Sequence, residues 1–279
     1  MQNFDSANET SNRTAVGLMS AFDHAVATTR GARDYQEDTA AYWPGAADPF
    51  LPPAGDNAGG GSFAVLADGM GGHAGGALAS RLVCEHFLST AVMCEGESQV
   101  RLIAALNAAN EAIASKVAGN PMLSGMGSTL VGAAFGPSGI EWVSVGDSPL
   151  YLFRRGEVAV LNEDHSLAPE LDRLVAAGQL TPEDARRDPR RHMLRSAVTG
   201  DEIDLVDISR SPLALESGDY IVLASDGVET LDPDEIARII QGYATDGAAA
   251  VATAIIRAVE ALREPHQDNA TVLVVRPVG

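Results

Sequence analysis

The chain has 279 residues, 46% of them hydrophobic, which suits one globular domain. Its formal charge of −19 repels nucleic-acid phosphates and anionic lipid, so neither is an expected partner. No apolar run approaches the ~20 residues needed to span a bilayer, and the polar opening MQNFDSANETSNRTAVGLMS lacks the basic-then-apolar order of a secretion signal, so a cytoplasmic monomer that binds no membrane is expected.

In chain order, residues 1–20 are rich in Asn, Ser and Thr and read as a mobile tail ahead of one domain over 21–279. Arg33-Asp34-Tyr35-Gln36-Glu37-Asp38 leads into a short strand-like stretch, and the Pro/Gly-rich segment 44–61 reads as a surface loop. Strand signals lie at 62–67, 129–135, 140–145, 150–153, 157–161, 203–209, 220–224 and 271–275. Helical periodicity covers 74–92, 100–118, 167–177, 234–243 and 248–262. Asp232-Pro233-Asp234-Glu235 starts one helix with a capping aspartate, and Thr181-Pro182-Glu183-Asp184 has the same form. Paired helices and runs of strands give α+β order, with antiparallel sheets covered by helix pairs. Cys84 and Cys94 share one predicted helix and read as reduced side chains, not a disulfide framework.

Four times an aspartate stands at the lip of an apolar strand: Asp68 after SFAVLA, Asp147 after WVSVG, Asp226 after YIVLAS, and Asp268 before ATVLVV. A lone carboxylate at the edge of a buried sheet is costly to desolvate, so several together point to a shared cation. Taken singly, each is also an ordinary Asp/Gly turn, and the cluster around Arg33 an ordinary charged surface. The run Asp68-Gly69-Met70-Gly71-Gly72-His73-Ala74 follows a strand and opens a helix, as a dinucleotide fingerprint would. Asp68 would repel the pyrophosphate, however, and the next element is a second helix where a parallel strand is required. The glycines more simply let the Gly69 carbonyl approach the same cation as Asp68. Carboxylates without a Cys or His cluster suit Mg²⁺ or Mn²⁺ better than zinc.

The ordered set Arg33…Glu37-Asp38, Asp68-Gly69-Met70-Gly71-Gly72-His73, Gly127-Ser128-Thr129, Gly146-Asp147-Ser148, Asp164-His165-Ser166, Ser225-Asp226-Gly227 and Asp268-Asn269 closely resembles the metal-dependent PP2C (PPM) serine/threonine protein phosphatases in their short bacterial form, over about residues 22–276. The resemblance implies a sandwich of two antiparallel sheets flanked by helix pairs, with a two-metal cleft at one end. It implies that Asp38, Asp68, the Gly69 carbonyl, Asp226 and Asp268 hold Mn²⁺ or Mg²⁺, that Asp147 with Asp226 holds a third ion, that Glu37 holds water, and that Arg33 clamps the substrate phosphate. The implied activity is hydrolysis of phosphoserine and phosphothreonine in proteins, the products of a serine/threonine kinase, by hydroxide that two cations generate from a shared water.

The chain departs from the family pattern at three places. Gln36 stands where asparagine is frequent, Pro149 replaces an arginine after Gly-Asp-Ser, and Met70 occupies the position of a histidine proposed in animal relatives to protonate the leaving group. Proton delivery is thus unassigned: His73 and His165 read first as structural residues, with delivery of that proton as the alternative. An arginine-rich segment, with Arg186, Arg187, Arg190, Arg191 and Arg195, matches the family's flap and is expected either to bind phosphopeptides or to be a solvated charged loop. The rival functions are a catalytically silent regulatory module of the same fold and a structural calcium-binding domain.

Overall fold

The computed structural model describes residues 22–44, 61–71 and 74–278. The expected tail, nearly all of the 44–61 loop, and His73 fall outside them.

Eleven strands and six α-helices are found among the described residues: β1 (Phe22–Thr29), β2 (Asp38–Trp43), β3 (Ser62–Met70), α1 (Ala74–Met93), α2 (Ser98–Gly119), β4 (Gly127–Ser128), β5 (Leu130–Gly136), β6 (Gly139–Val145), β7 (Leu150–Arg154), β8 (Glu157–Val160), α3 (Ala168–Ala176), α4 (Pro182–Arg187), β9 (Asp207–Ile208), β10 (Tyr220–Ala224), α5 (Pro233–Tyr243), α6 (Ala248–Leu262) and β11 (Ala270–Pro277). The strands form two antiparallel sheets, ordered β1-β11-β10-β7-β8 and β2-β3-β5-β6-β9, with β4 paired to β3.

The sandwich follows from alternation along the strands. On β3, Phe63, Val65 and Ala67 pack toward α1 and α2, whereas Ala64 and Leu66 enter the layer between the sheets. On β10, Tyr220, Val222 and Ala224 meet α5 and α6, and Ile221 and Leu223 face inward; β11 repeats this with Val272 and Val274 against Leu273 and Val275. Successive strand side chains point to opposite faces, so strands this apolar on both faces require cover on both. Each large aliphatic side chain removed from water contributes about 1.5–3 kcal/mol. The result is the expected helix–sheet–sheet–helix layering.

Several elements differ from the sequence reading. The polar strand β1 has no apolar alternation to announce it, yet it pairs with β11 over its whole length, from Phe22↔Pro277 to Thr29↔Ala270. The strand expected over 203–209 shrinks to Asp207–Ile208. Ser196 takes the preceding backbone instead: its hydroxyl accepts from Leu205 N at 3.0 Å and donates to Leu205 O at 2.8 Å. Thr181 caps α4 by accepting from Asp184 N at 3.1 Å, whereas Asp232, at the corresponding place before α5, makes no capping bond through its side chain.

Candidate functional site

The acidic residues meet where the ends of both sheets approach one another. Asp68 lies inside β3 and not after it, because the strand continues to Met70. Asp38 opens β2 directly opposite Asp68 in the antiparallel register. Asp147 follows the end of β6, Asp226 begins the short 3-10 turn after β10, and Asp268 lies just before β11. Asp68, Asp147, Asp226 and Asp268, with Arg33, Glu37 and Gly69, line one cavity of about 730 Å³; Asp38 stands behind its wall and is buried.

Local hydrogen bonds explain why the motifs contain the residues they do. Asp68 is gripped by the Gly-Ser-Thr segment: its N–H donates to the Thr129 hydroxyl at 3.0 Å, and its carbonyl accepts from Thr129 N at 2.9 Å and the Ser128 hydroxyl at 2.8 Å. Ser225 donates to Asp38 Oδ2 at 2.8 Å and accepts from Thr271 N at 2.9 Å, tying the two sheets together at the carboxylate. Asn269 organises the loop before β2, accepting from Glu37 N at 2.8 Å and donating to Arg30 O at 3.0 Å and Tyr35 O at 2.9 Å. That loop supplies the turn needed to bring Glu37 and Asp38 to one place. A Cβ on Gly76 would come within 2.8 Å of the Gly69 carbonyl oxygen and would also strike Glu37, so the glycine run lets α1 approach β3 and the acids closely.

The carboxylates raise one another's proton affinity. Burial, then the charges of Asp38, Asp226, Asp147 and Asp268, holds Asp68 well above the usual range. Burial pushes Asp38 up to about 6, opposed by hydrogen bonds from Ser225 and Thr271 and reinforced by Asp226 and Asp268. Asp147 reaches about 8 through burial and the charges of Asp226, Asp164 and Glu229. Asp226 is raised by burial and Asp268, with His192 acting in the opposite direction. Glu229, absent from the sequence-based site, is buried beside Asp226 and Asp164 and pushed up to about 7. Its signal was the acid three residues after Asp226.

These residues fit divalent cations. Asp38 Oδ1, Asp226 Oδ1 and Glu37 Oε1 are buried oxygens with no hydrogen-bond partner, a costly condition that a cation relieves. The donors are hard oxygens, which suit Mn²⁺ or Mg²⁺. Among the described residues no three acidic, His or Cys side chains are already drawn together as a closed cage. Asp268 is instead turned to Arg33, whose Nη2 donates to Oδ2 at 2.5 Å, and the Asp268 carboxylate further raises the pKa of that guanidinium.

For two other sequence candidates the local contacts are specific. His165 is buried, and its Nδ1 accepts from Gly146 N at 3.3 Å, so it braces the turn before Asp147. Arg190 and Arg191 are each engaged by a carboxylate: Arg190 makes two bonds to Asp188, at 3.0 and 2.8 Å, and Arg191 two to Asp172, at 2.8 and 3.0 Å. Arg187 pairs with Glu183. Arg195, by contrast, lines the cavity and makes no ion pair or side-chain hydrogen bond among the described residues, and His192 lines it too. The basic run concealed which of its members face the acids.

The chain matches the family model described as Protein phosphatase 2C over residues 48–271. It is 36% identical over 214 residues to the serine/threonine protein phosphatase PstP of Mycobacterium tuberculosis, a match covering 75% of this chain and 39% of that protein. It is 33% identical over 187 residues to the serine/threonine phosphatase stp of Listeria innocua, covering 65% and 72%. The chain therefore spans about two fifths of the curated PstP it matches. Among solved structures it resembles the M. tuberculosis phosphatase PstP/Ppp with a TM-score of 0.73 at 30% identity, covering 94% of this chain and all of that one. The PstP catalytic domain in complex with two manganese ions gives a TM-score of 0.72 with the same identity and coverage. With its matching motifs, its two-sheet sandwich and a family match over most of its length, the chain belongs to the protein phosphatase 2C family.

Proposed function

We propose that the chain is a Mn²⁺- or Mg²⁺-dependent phosphatase acting on phosphoserine and phosphothreonine in proteins, substrates that a serine/threonine kinase supplies. The carrying observation is the gathering of Asp68, Asp226 and Asp268 at one cavity, backed by Asp38, with buried carboxylate oxygens left without partners. Two cations, held by Asp38, Asp68, the Gly69 carbonyl, Asp226 and Asp268, would supply an acidified water and neutralise phosphate charge. Asp147 with Asp226 would hold a third and weaker one.

The chain's own residues do the rest. Arg33 leaves Asp268 and grips the phosphate with its planar fork, which matches two oxygens at once. Glu37, its Oε1 buried and unpartnered, accepts a proton-side hydrogen bond from the attacking water and so orients it toward phosphorus. The Thr129–Asp68 and Ser225–Asp38 bonds hold both carboxylates in place before substrate arrives, which lowers the reorganisation needed at reaction. All the positions that would hold metal carry oxygen donors, which favours an enzyme over a silent module.

No helix among the described residues is long and apolar enough to cross a membrane. The net charge of −19 disfavours nucleic acid and anionic lipid surfaces as partners, and a cytoplasmic signalling role as a monomer is part of the proposal. The test is phosphate release from p-nitrophenyl phosphate with and without Mn²⁺. Hydrolysis only with metal is expected; tight calcium binding with no hydrolysis under any metal would favour a structural domain.

A further inference from the structure

Building on the hydrolytic reading, we propose that His192 donates the proton to the oxygen that leaves phosphorus when phosphoserine or phosphothreonine is cleaved. Met70 lines the main cavity beside Asp68 and Gly69, and its side chain has no proton to give. Of the other described histidines, His24 stacks on Tyr42 with ring centroids 3.8 Å apart, His165 is buried with its ring tied to Gly146, His86 lies on α1 outside the cavity lining, and His266 lines only the smaller neighbouring cavity. His192 alone among the described histidines lines the main cavity.

Its placement is specific. A second cavity, about 530 Å³, lies beside the first and is lined by Thr230, Glu264 and His266; the two share His192, Asp226 and Asp268. His192 thus stands where the chambers join, next to the acids that flank the reacting phosphate. One chamber takes the phosphate and the other has room for the peptide that leaves. The His192 ring makes no hydrogen bond or ion pair among the described residues, so its N–H groups are free to meet a ligand.

Part of the arginine run serves here as scaffold. Arg191 N donates to Asp188 O at 3.0 Å and Met193 N to Arg190 O at 2.8 Å, making a tight turn around His192. The double bond of Arg191 to Asp172 and the Leu167 N–H to Met193 O bond at 3.1 Å anchor that turn to the segment around α3. Beyond it, Leu194 bridges to Ser166, and Arg195 N donates to His165 O at 2.8 Å. An exposed histidine is therefore carried on a fixed backbone.

In the step, water oxygen bonds to phosphorus while the bond from phosphorus to the serine or threonine oxygen breaks, its electron pair staying on that oxygen. The imidazolium N–H proton passes to the departing oxygen, giving the free hydroxyl and leaving neutral imidazole. The proton released by the attacking water reaches solvent, and the imidazole takes one back from solvent before the next turnover.

The experiment compares wild type with His192→Gln on a phosphoserine peptide and on p-nitrophenyl phosphate, with Mn²⁺ affinity measured by calorimetry. An alkoxide needs protonation to depart and a nitrophenolate does not. His192→Gln is expected to lower kcat on the peptide about 10²-fold, with p-nitrophenyl phosphate turnover and Mn²⁺ affinity nearly unchanged. Equal losses on both substrates, an unchanged peptide kcat, or a fall in Mn²⁺ affinity that accounts for the loss would overturn the assignment. Wild-type protein that cleaves neither substrate would overturn the hydrolytic reading itself, and this assignment with it.

Discussion

Asp38 and Asp68 face one another directly across the β2–β3 pair, as Cα partners in the antiparallel register. Like charges at such positions oppose folding, and here both are buried next to Asp226 and Asp268. The Ser225 hydroxyl compensates the Asp38 carboxylate directly, while the Thr129 segment pins only the backbone of Asp68. The arrangement stores a repulsion that divalent cations relieve. Asp68→Asn should therefore raise the melting temperature of metal-free protein by about 2–4 °C, the shift expected for ~1 kcal/mol in a domain of this size. It should also weaken Mn²⁺ binding by more than the about 10–100-fold typical of an outer-shell change. A variant that melts lower without metal would contradict the repulsion.

The same acids set the pH dependence of the metal-free fold. Asp38 is pushed up to about 6, Glu229 to about 7 and Asp147 to about 8, against unfolded values of about 4. For an acid whose folded pKa is raised, stability is fullest below the unfolded pKa and is lost as pH climbs through the folded one. Metal-stripped protein should melt at a higher temperature at pH 5 than at pH 8, and Mn²⁺ should narrow the gap by binding the folded state. Scanning calorimetry in chelator at the two pH values checks the sign; a higher melting point at pH 8 would reverse it.

Arg33 and Asp268 form an ion pair whose side chains are 53% and 38% exposed. Such a pair contributes only about 0–1 kcal/mol, so it is easily exchanged for substrate and metal. Arg33→Ala should leave thermal stability within about 1 kcal/mol, raise KM for a phosphopeptide, and preserve or improve Mn²⁺ affinity as Asp268 is released. Lost metal affinity with unchanged KM would make the arginine structural.

Much of this was legible in the sequence. The apolar strands β3, β5, β6, β10 and β11 and the paired helices announce themselves by composition and period, and the aspartates by their recurrence at strand lips. In the sequence Asn269 stands out only as the neighbour of Asp268. Its role as the clasp of the Arg30–Glu37 loop depends on contacts more than 230 residues away in sequence, which no local pattern encodes. β1 was hidden for a related reason, since a polar strand is identified by its partner β11 and not by its own alternation. The arginine run left two readings open because charge is visible in sequence and pairing is not: Asp172 and Asp188 neutralise Arg191 and Arg190.

Within that run, the pairing singles out Arg195 as the expected peptide contact. In an acidic cavity an uncommitted guanidinium attracts the phosphopeptide, whereas Arg190 and Arg191 are occupied by carboxylates. Arg195→Ala should raise KM for phosphopeptides several-fold, about 1 kcal/mol at an exposed charge, with little change for p-nitrophenyl phosphate, which is too short to gain from the wall. Arg190→Ala should change neither. Steady-state kinetics on both substrates separates these outcomes, and a larger KM effect at Arg190 than at Arg195 would move the contact to Arg190.

The central claim is that the carboxylates of both sheets act together as a metal-dependent phosphatase site. The most direct measurement is a Mn²⁺ titration of metal-stripped protein, following calorimetric binding and phosphate release from a phosphoserine peptide in the same samples. Release should appear only as metal binds, vanish with chelator, and be abolished by Asp226→Ala while the variant remains folded. Folded wild-type protein that binds Mn²⁺ at saturation yet releases no phosphate, or that releases it equally in chelator, would contradict the account.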